Sequence, residues 1–277
     1  MAVNPLKFYQ NAVYHLDHVK TQYVNFMKSM NIPKNRPLSV LDIGLGSGRV
    51  FYEVLLPLLP KNVSEIIGSD REIEMIDFCR SMNEDPRITF EKLDITDENL
   101  PNHLQKRFDL AFSSYCFSYL RDLRHGFKNT GKLLKPDGEL LNMFQYKKNG
   151  MYTTYRRLSK IEKWRPYTEN YANYTTNLTG PTPEVELEKI FKDIGMTLLK
   201  YKFFPEYHMD MTKRNILEAY VSLDKVYWEV PKHQQEEYRK DFMAIFSEEV
   251  EVDFDDEATL EQVIEFNFPT VIVHARN

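Results

Sequence analysis

The sequence predicts an α/β fold, a doubly wound and mostly parallel sheet, and three observations predict it. Short apolar runs alternate with helical stretches of about 10–15 residues through the first half of the chain. A glycine-rich turn, Gly44-Leu45-Gly46-Ser47-Gly48, follows the first of those runs directly. Acidic residues, Asp42, Asp70 and Asp94, then stand at the ends of successive runs. Strands separated by helices of that length need right-handed crossovers, and such crossovers make neighbouring strands parallel. Ligands of such sheets bind beyond the carboxyl ends of the strands.

Residues 5–30 have helical character and precede the first strand, well placed to fold over a bound ligand. Residues 38–43 form the first strand, and 50–59 a helical stretch closed by Pro60. A second strand over 65–69 ends at Asp70, and Ile73, Ile76 and Phe78 mark a helix over 72–82. Residues 88–93 alternate as a third strand ending at Asp94, and 109–113 are a fourth, ending at Ser113. A helix over 123–134 stops at Lys135-Pro136-Asp137-Gly138, a strong turn signal, before a fifth strand over 139–145. The second half is less regular. It reads as a helix over 151–164, a Tyr/Asn/Thr-rich loop over 166–183, a helix over 184–194 ending at Gly195, and a strand over 196–204. Helices over about 211–227 and 232–250 precede a last strand over 263–275. No repeat or linker separates the halves, so the expectation is one domain over 1–277. Its parts are a helical lid (1–35), a cofactor-binding core (36–145) and helical cap elements (146–195 and 207–260).

Composition excludes several classes. The chain has 277 residues, net charge -5 and 28% charged residues, interleaved in sign except for an acidic run over 248–257. No basic stripe suggests a nucleic-acid footprint. No apolar run approaches the roughly 20 residues that span a bilayer, and the N-terminus does not read as a signal peptide. The two cysteines, Cys79 and Cys116, lack metal-ligand spacing, no metal site is expected, and the protein is expected to be cytoplasmic and reduced. The 17 Tyr and 18 Phe point to a Tyr-lined apolar pocket or to extra core packing.

The glycine turn brings backbone close to a ligand, because residues without a Cβ permit the approach. A dinucleotide fingerprint needs a glycine at the sixth position from Gly44, where Arg49 stands, and no P-loop Lys-Ser/Thr pair follows. The acids define the ligand further. Asp70 is placed to accept both hydroxyls of an adenosine ribose, and the charge strengthens those bonds. Asp94 is placed to accept from the adenine amine while Ile95 packs on the ring, and Asp42 is placed to meet an ammonium group. The competing structural reading is that each Asp caps the helix after it.

These motifs over residues 38–145 resemble class I S-adenosylmethionine-dependent methyltransferases. That resemblance implies a seven-stranded sheet with an antiparallel last strand, met by a hairpin of 196–204 and 263–275, with S-adenosylmethionine as cofactor and S-adenosylhomocysteine as product. A narrower resemblance carries through the chain. Residues 154–164 (Thr-Tyr-Arg-Arg-Leu-Ser-Lys-Ile-Glu-Lys-Trp), 113–122 and 265–276 are similar to the insect juvenile hormone acid methyltransferases. That family methylates the carboxylate of farnesoic or juvenile hormone acids without metal. Two positions depart from it. Ser118-Tyr119 stands where the family has His-Trp, whose Trp borders the substrate carboxylate. His15 or Leu16 falls where the family has a carboxylate-binding Gln, with Gln10 nearby.

A carboxylic acid is ionised at neutral pH and needs no general base. In-line approach and water exclusion then carry most of the catalysis. Neutral donors suit such an acceptor, since a tight cation pair stabilises ground and transition states alike. The candidates are His15 and Tyr119 as catalytic groups, with Tyr115, Tyr119 and Trp164 lining the substrate. Asp42, Gly44, Gly46, Gly48, Asp70, Asp94, Ile95 and Ser113 are expected to hold the cofactor. The expected partner is a small apolar carboxylic acid. N-methylation of a small amine and a cofactor binder without transferase activity are the alternatives.

Overall fold

The computed structural model describes residues 5–11, 15–146, 150–172, 182–254 and 256–277. Two helices lead, α1 (Pro5–Asn11) and α2 (Leu16–Met27), where one was expected over 5–30. On α2 the residues Val19, Gln22, Tyr23 and Phe26 form a buried stripe at helical spacing, which docks the helix on the sheet. β1 (Leu38–Ile43) is buried along its whole length, as a central parallel strand must be. A wide π-helical turn, Phe51–Leu55, and the short α3 (Leu56–Leu58) follow. Pro57 accounts for the widening: it has no N–H to donate, and its ring clashes with the preceding turn of a regular helix.

β2 (Val63–Asp70), α4 (Ile73–Met82), β3 (Ile88–Lys92), β4 (Phe108–Ser114), α5 (Leu123–Leu133) and β5 (Leu134–Gln145) complete the parallel part. The turn signal at residues 135–138 lies inside β5 as a bulge. Phe108 of β4 aligns with Leu134 and Leu110 with Glu139, and Asp137 takes φ 62° to accommodate the extra residues. The Asp122 carboxylate caps α5, accepting from the Arg124 and His125 N–H groups.

The expected helix over 151–164 is α6 (Gly150–Leu158), a turn, and α7 (Arg165–Thr168). The expected loop over 166–183 lies partly outside the described residues. α8 (Glu184–Ile194) ends at Gly195, whose φ of 80° is the left-handed stop read from the sequence. Then come β6 (Thr197–Phe204), β7 (His208–Thr212), α9 (Lys213–Leu223), α10 (Lys225–Glu229) and α11 (Gln235–Val250), closed by β8 (Val263–Asn267) and β9 (Thr270–Arg276). The last strand expected over 263–275 is therefore two. Pro269 separates them, β8 pairs antiparallel with β7, and β9 enters the main sheet.

The main sheet has seven strands in the order β3-β2-β1-β4-β5-β9-β6. Only β9 runs antiparallel, pairing Leu141 with His274 and Tyr201 with Val273. The order reverses between β1 and β4, and that switch point opens a crevice at their carboxyl ends. One face of the sheet packs on α5 and α8 through Phe127 and Phe191, and the other packs on α2 and α4. A third cluster, built on Tyr155, Tyr238, Phe242 and Phe246, forms the cap, so much of the aromatic surplus is core packing. Among the described residues, no helix is long and apolar enough to cross a membrane.

Candidate functional site

The chain leaves β1 at Ile43 and turns through Gly44, Gly46 and Gly48, whose φ angles are 68°, 58° and 82°. A side chain at Gly44 would meet both this left-handed backbone and the Cys116 side chain. One at Gly46 would press on Phe8 of α1 at 3.0 Å. The loop is therefore held between α1 and the turn after β4. The Gly44 and Leu45 N–H groups donate to the Ser69 carbonyl at 2.7 and 2.9 Å, which ties the loop to β2.

Asp70, at the end of β2, accepts from the Gly46 N–H at 2.9 Å through one carboxylate oxygen and from the Glu72 N–H at 2.9 Å through the other. Each oxygen keeps a lone pair for a further donor. Burial holds the Asp70 carboxyl above its ordinary value, and the two backbone bonds only partly oppose it. Asp42 is buried beneath the loop, where desolvation and then the neighbouring Asp70 push it up to about 7. Asp94 uses one oxygen to accept from the Thr96 N–H and hydroxyl at 2.8 and 2.6 Å, which closes a local turn, no helix starting there. It nonetheless lines the same cavity, as does Ile95.

That cavity has a volume of about 210 Å³ and two chemically different ends. At the loop end stand Asp42, Asp70, Glu72 and Asp94, with Arg49 and Arg71. At the cap end stand Tyr and Phe rings with Met151, Met209 and Met211. Among the described lining residues, every carboxylate belongs to the loop end.

The two ends meet at His15, Tyr115, Cys116 and Tyr119. His15 meets the Tyr115 ring edge-on at 4.9 Å, and burial lowers its imidazole to about 4, so it is neutral at physiological pH. Tyr115 holds φ at 63°, a strained value for an aromatic residue, while its N–H donates to the Met143 carbonyl at 2.6 Å. Burial pushes the Cys79 and Cys116 thiols up to about 12, so neither is a thiolate nucleophile.

Three expected site residues stand elsewhere. Ser113 is buried behind the loop, its hydroxyl donating to the Ile43 carbonyl at 2.9 Å, and Ser114 lines the cavity in its place. Strand alternation explains the exchange, since neighbouring residues face opposite sides of a sheet. Gly48 packs against Cys79 and Tyr52, on the far side of the loop from the cavity. Trp164 lies beyond the end of α6 and points into the cap core, where its indole N–H donates to Asp241 at 2.6 Å. Trp164 was expected at the substrate from the resemblance of residues 154–164 to the insect family, and it packs in the cap core instead. Lining residues not anticipated from sequence include Phe8, Arg49, Tyr152 and Tyr155. Their only signal was the aromatic surplus and the arginine directly after the last glycine.

Residues 40–138 match the family model described as a methyltransferase domain. Solved structures share the fold. A methyltransferase from Bacillus halodurans aligns over 92% of this chain and 98% of its own, with TM-score 0.55 and 14% identity. A protein from Bacillus subtilis aligns over 93% and 98%, with TM-score 0.55 and 16% identity. The chain has the class I methyltransferase fold. Beyond the matched segment, the chain is 26% identical to the juvenile hormone acid O-methyltransferase of Drosophila melanogaster over 88% of the chain and 82% of the relative. It is 27% identical to that of Bombyx mori over 86% and 84%.

The short α1 is latched to the glycine loop by Arg49 among other contacts. Arg49 donates to the Tyr9 carbonyl at 2.7 Å and the Gln10 carbonyl at 3.3 Å, two carbonyls of the last turn of α1. It also pairs with Glu53 at 2.9 Å and lies over the Tyr9 ring at 5.1 Å. A helix of seven residues is not stable alone, so α1 is ordered by docking. Arg49→Met is expected to raise tryptic cleavage after Lys7 several-fold without lowering the melting temperature of the sheet. Unchanged cleavage would show that the packing of Phe8 and Tyr9 holds the helix without Arg49.

Proposed function

We propose that this protein is a methyltransferase that transfers a methyl group from S-adenosylmethionine to the carboxylate of an apolar small molecule, a farnesoid or juvenile hormone-type acid. The observation that carries this reading is the division of the cavity. Its loop end offers carboxylates and a glycine turn, and its cap end offers rings and thioethers. Asp70 suits the ribose hydroxyls, since each of its oxygens keeps acceptor capacity after ordering the loop. Asp42 suits the cationic amino-acid end of the cofactor, and Ile95 one face of the adenine. The bound cofactor supplies an electrophilic methyl group, and the protein has to align the acceptor with it and keep water out.

At the junction His15, Tyr115 and Tyr119 are neutral groups, suited to orienting a carboxylate without binding it too tightly. Tyr119 stands where the curated insect relatives' family carries Trp and keeps a polar hydrogen in its place. The likeness to the two juvenile hormone acid O-methyltransferases supports a carboxyl acceptor. An amine acceptor wants acidic or amide groups beside the sulfonium at the cap side, and the described lining residues offer none there.

The test is transfer of label from S-adenosylmethionine to a panel of farnesoid and fatty acids, with small amines in parallel. Methyl ester formation on the apolar acids is expected. Transfer to amines alone would replace the acceptor, and tight S-adenosylhomocysteine binding with no turnover on any compound would leave a binding protein.

Asp42 makes cofactor binding depend on pH. Its carboxyl is raised to about 7, so it is increasingly protonated as pH falls below that value. Only the ionised form attracts a cationic group, so affinity is expected to rise with pH up to about 7 and level off above. Calorimetry between about pH 5.5 and 8.5 reads this slope, and Asp42→Asn should flatten it.

A further inference from the structure

Four tyrosine rings form one continuous flank of the cavity. From Tyr119 beside the loop end the ring centroids step to Tyr152 at 6.0 Å, from Tyr152 to Tyr155 at 6.0 Å, and from Tyr155 to Tyr171 at 5.6 Å. Tyr152 and Tyr155 are three residues apart on α6 and therefore share a face. Met209 and Met211 of β7 and Phe266 of β8 line the cavity as well, so this end is clad in apolar groups.

The hydroxyls of the two farther rings are engaged outside the cavity. The Tyr171 hydroxyl donates to Glu229 at 2.6 Å. The Tyr155 hydroxyl donates at 2.8 Å to Asp224, a carboxylate only 4% exposed at the break between α9 and α10. Asp224 is itself fixed: it also accepts from the Tyr238 hydroxyl at 3.3 Å and the Tyr227 N–H at 3.2 Å. Behind Tyr155 lies packed cap core, with Phe242 at 5.9 Å. The ring is therefore a partition between the cavity and the cap core, held by a charge-assisted bond at its far end.

We infer that Tyr155, tethered by Asp224, sets the length of the apolar chain that this cavity accepts. The inference rests on the reading of the cap end as the site of the substrate's tail. A chain lying along the ring faces gains about fourfold in affinity for each methylene covered, the equivalent of about 0.8 kcal/mol. Methylenes that reach the Tyr155 ring gain nothing, because the tether holds it in place. Asp224 acts through Tyr155 and is a positioning residue.

The experiment is calorimetric binding of saturated straight-chain acids and the matching primary alcohols, of stepwise length, to the full chain saturated with S-adenosylhomocysteine. Wild-type affinity is expected to climb about fourfold per methylene and then reach a plateau. Tyr155→Leu should move the plateau to longer chains. Tyr155→Phe keeps the ring but removes the tether, so it should blur or lengthen the plateau with little risk to folding. Asp224→Asn keeps an oxygen acceptor and should restore the wild-type plateau, which a purely structural role for Asp224 does not require. The inference is overturned if Tyr155→Leu and Tyr155→Phe both keep the wild-type plateau. Failure of the carboxylate reading is separate: the alcohols would show the moving plateau while no acid is methylated.

Discussion

Replacing Asp70 with alanine is expected to weaken S-adenosylhomocysteine binding by at least about 100-fold, through the loss of the two charge-assisted bonds to the ribose that the proposed function assigns to it. The carboxylate has two tasks at once. It holds the Gly46 N–H and the Glu72 N–H, each at 2.9 Å, and so sets the position of the loop and the start of the segment after β2. It also presents the remaining lone pairs to the cavity. Alanine leaves both N–H groups without their acceptor. Asparagine fares little better, because its amide nitrogen must face one of those donors. Calorimetry reads the affinity, and the melting temperature of the unliganded protein checks that the sheet has survived. Binding within tenfold of wild type would remove Asp70 from the ribose site and leave it as a loop anchor only.

Replacing Asp109 with alanine is expected to cost about 3 kcal/mol of stability while leaving cofactor affinity unchanged. Asp109 sits at the opposite, amino-terminal end of β4. Its buried carboxylate accepts from the Ser39 N–H at 2.9 Å and pairs with Arg36 at 2.6 Å and Lys135 at 2.8 Å. It thereby joins β1, β4 and β5 to the segment that leads into the sheet. Both cations are partly exposed and return to water when the carboxylate is lost, and the Ser39 hydroxyl keeps the Arg107 carbonyl, so the cost falls mainly on the orphaned Ser39 N–H and the broken charge-assisted bonds. A drop of about 6–12 °C in melting temperature is expected for a chain of this size. The pH dependence has a definite sign. Despite the opposing effect of burial, the hydrogen bonds from Arg36, Lys135 and Ser39 hold the Asp109 carboxyl below its ordinary value. Its contribution to stability is present above the unfolded carboxyl value of about 4 and is lost as pH falls below it. Thermal unfolding across acidic pH should therefore show a shallower decline in Asp109→Ala than in the native chain. An equal decline in both would assign the acid sensitivity elsewhere.

The core strands were legible because each is an apolar run closed by a turn signal, and parallel strands buried on both faces leave that mark. Leu38–Ile43, Ile88–Lys92 and Phe108–Ser114 emerge within a residue or two of their sequence bounds. The acids at residues 42, 70 and 94 were legible for the same reason, since strand ends at a switch point share one rim of the sheet. The cap was read less well. β7 went unseen because His208–Thr212 is too short to show a period, and β8 and β9 were merged because Pro269 was not given its weight as a strand breaker. Trp164 was placed at the substrate by resemblance, whereas its indole N–H finds Asp241 of α11, 77 residues further along, a partner that no local signal announces.

What the sequence by itself determined is the sheet, its crossovers and the cofactor-facing loop. Those features depend on local patterns: period, turn residues and the left-handed backbone that only glycine accepts freely. Tertiary structure alone decided the cap end of the cavity. Tyr119, Tyr152, Tyr155 and Tyr171 come from different elements or turns, and their partners Asp224 and Glu229 lie 58 to 69 residues further along the chain. A side chain aimed into a cavity and one aimed into a core are the same residue in sequence. Only long-range packing settles which way each ring faces and where its hydroxyl finds an acceptor.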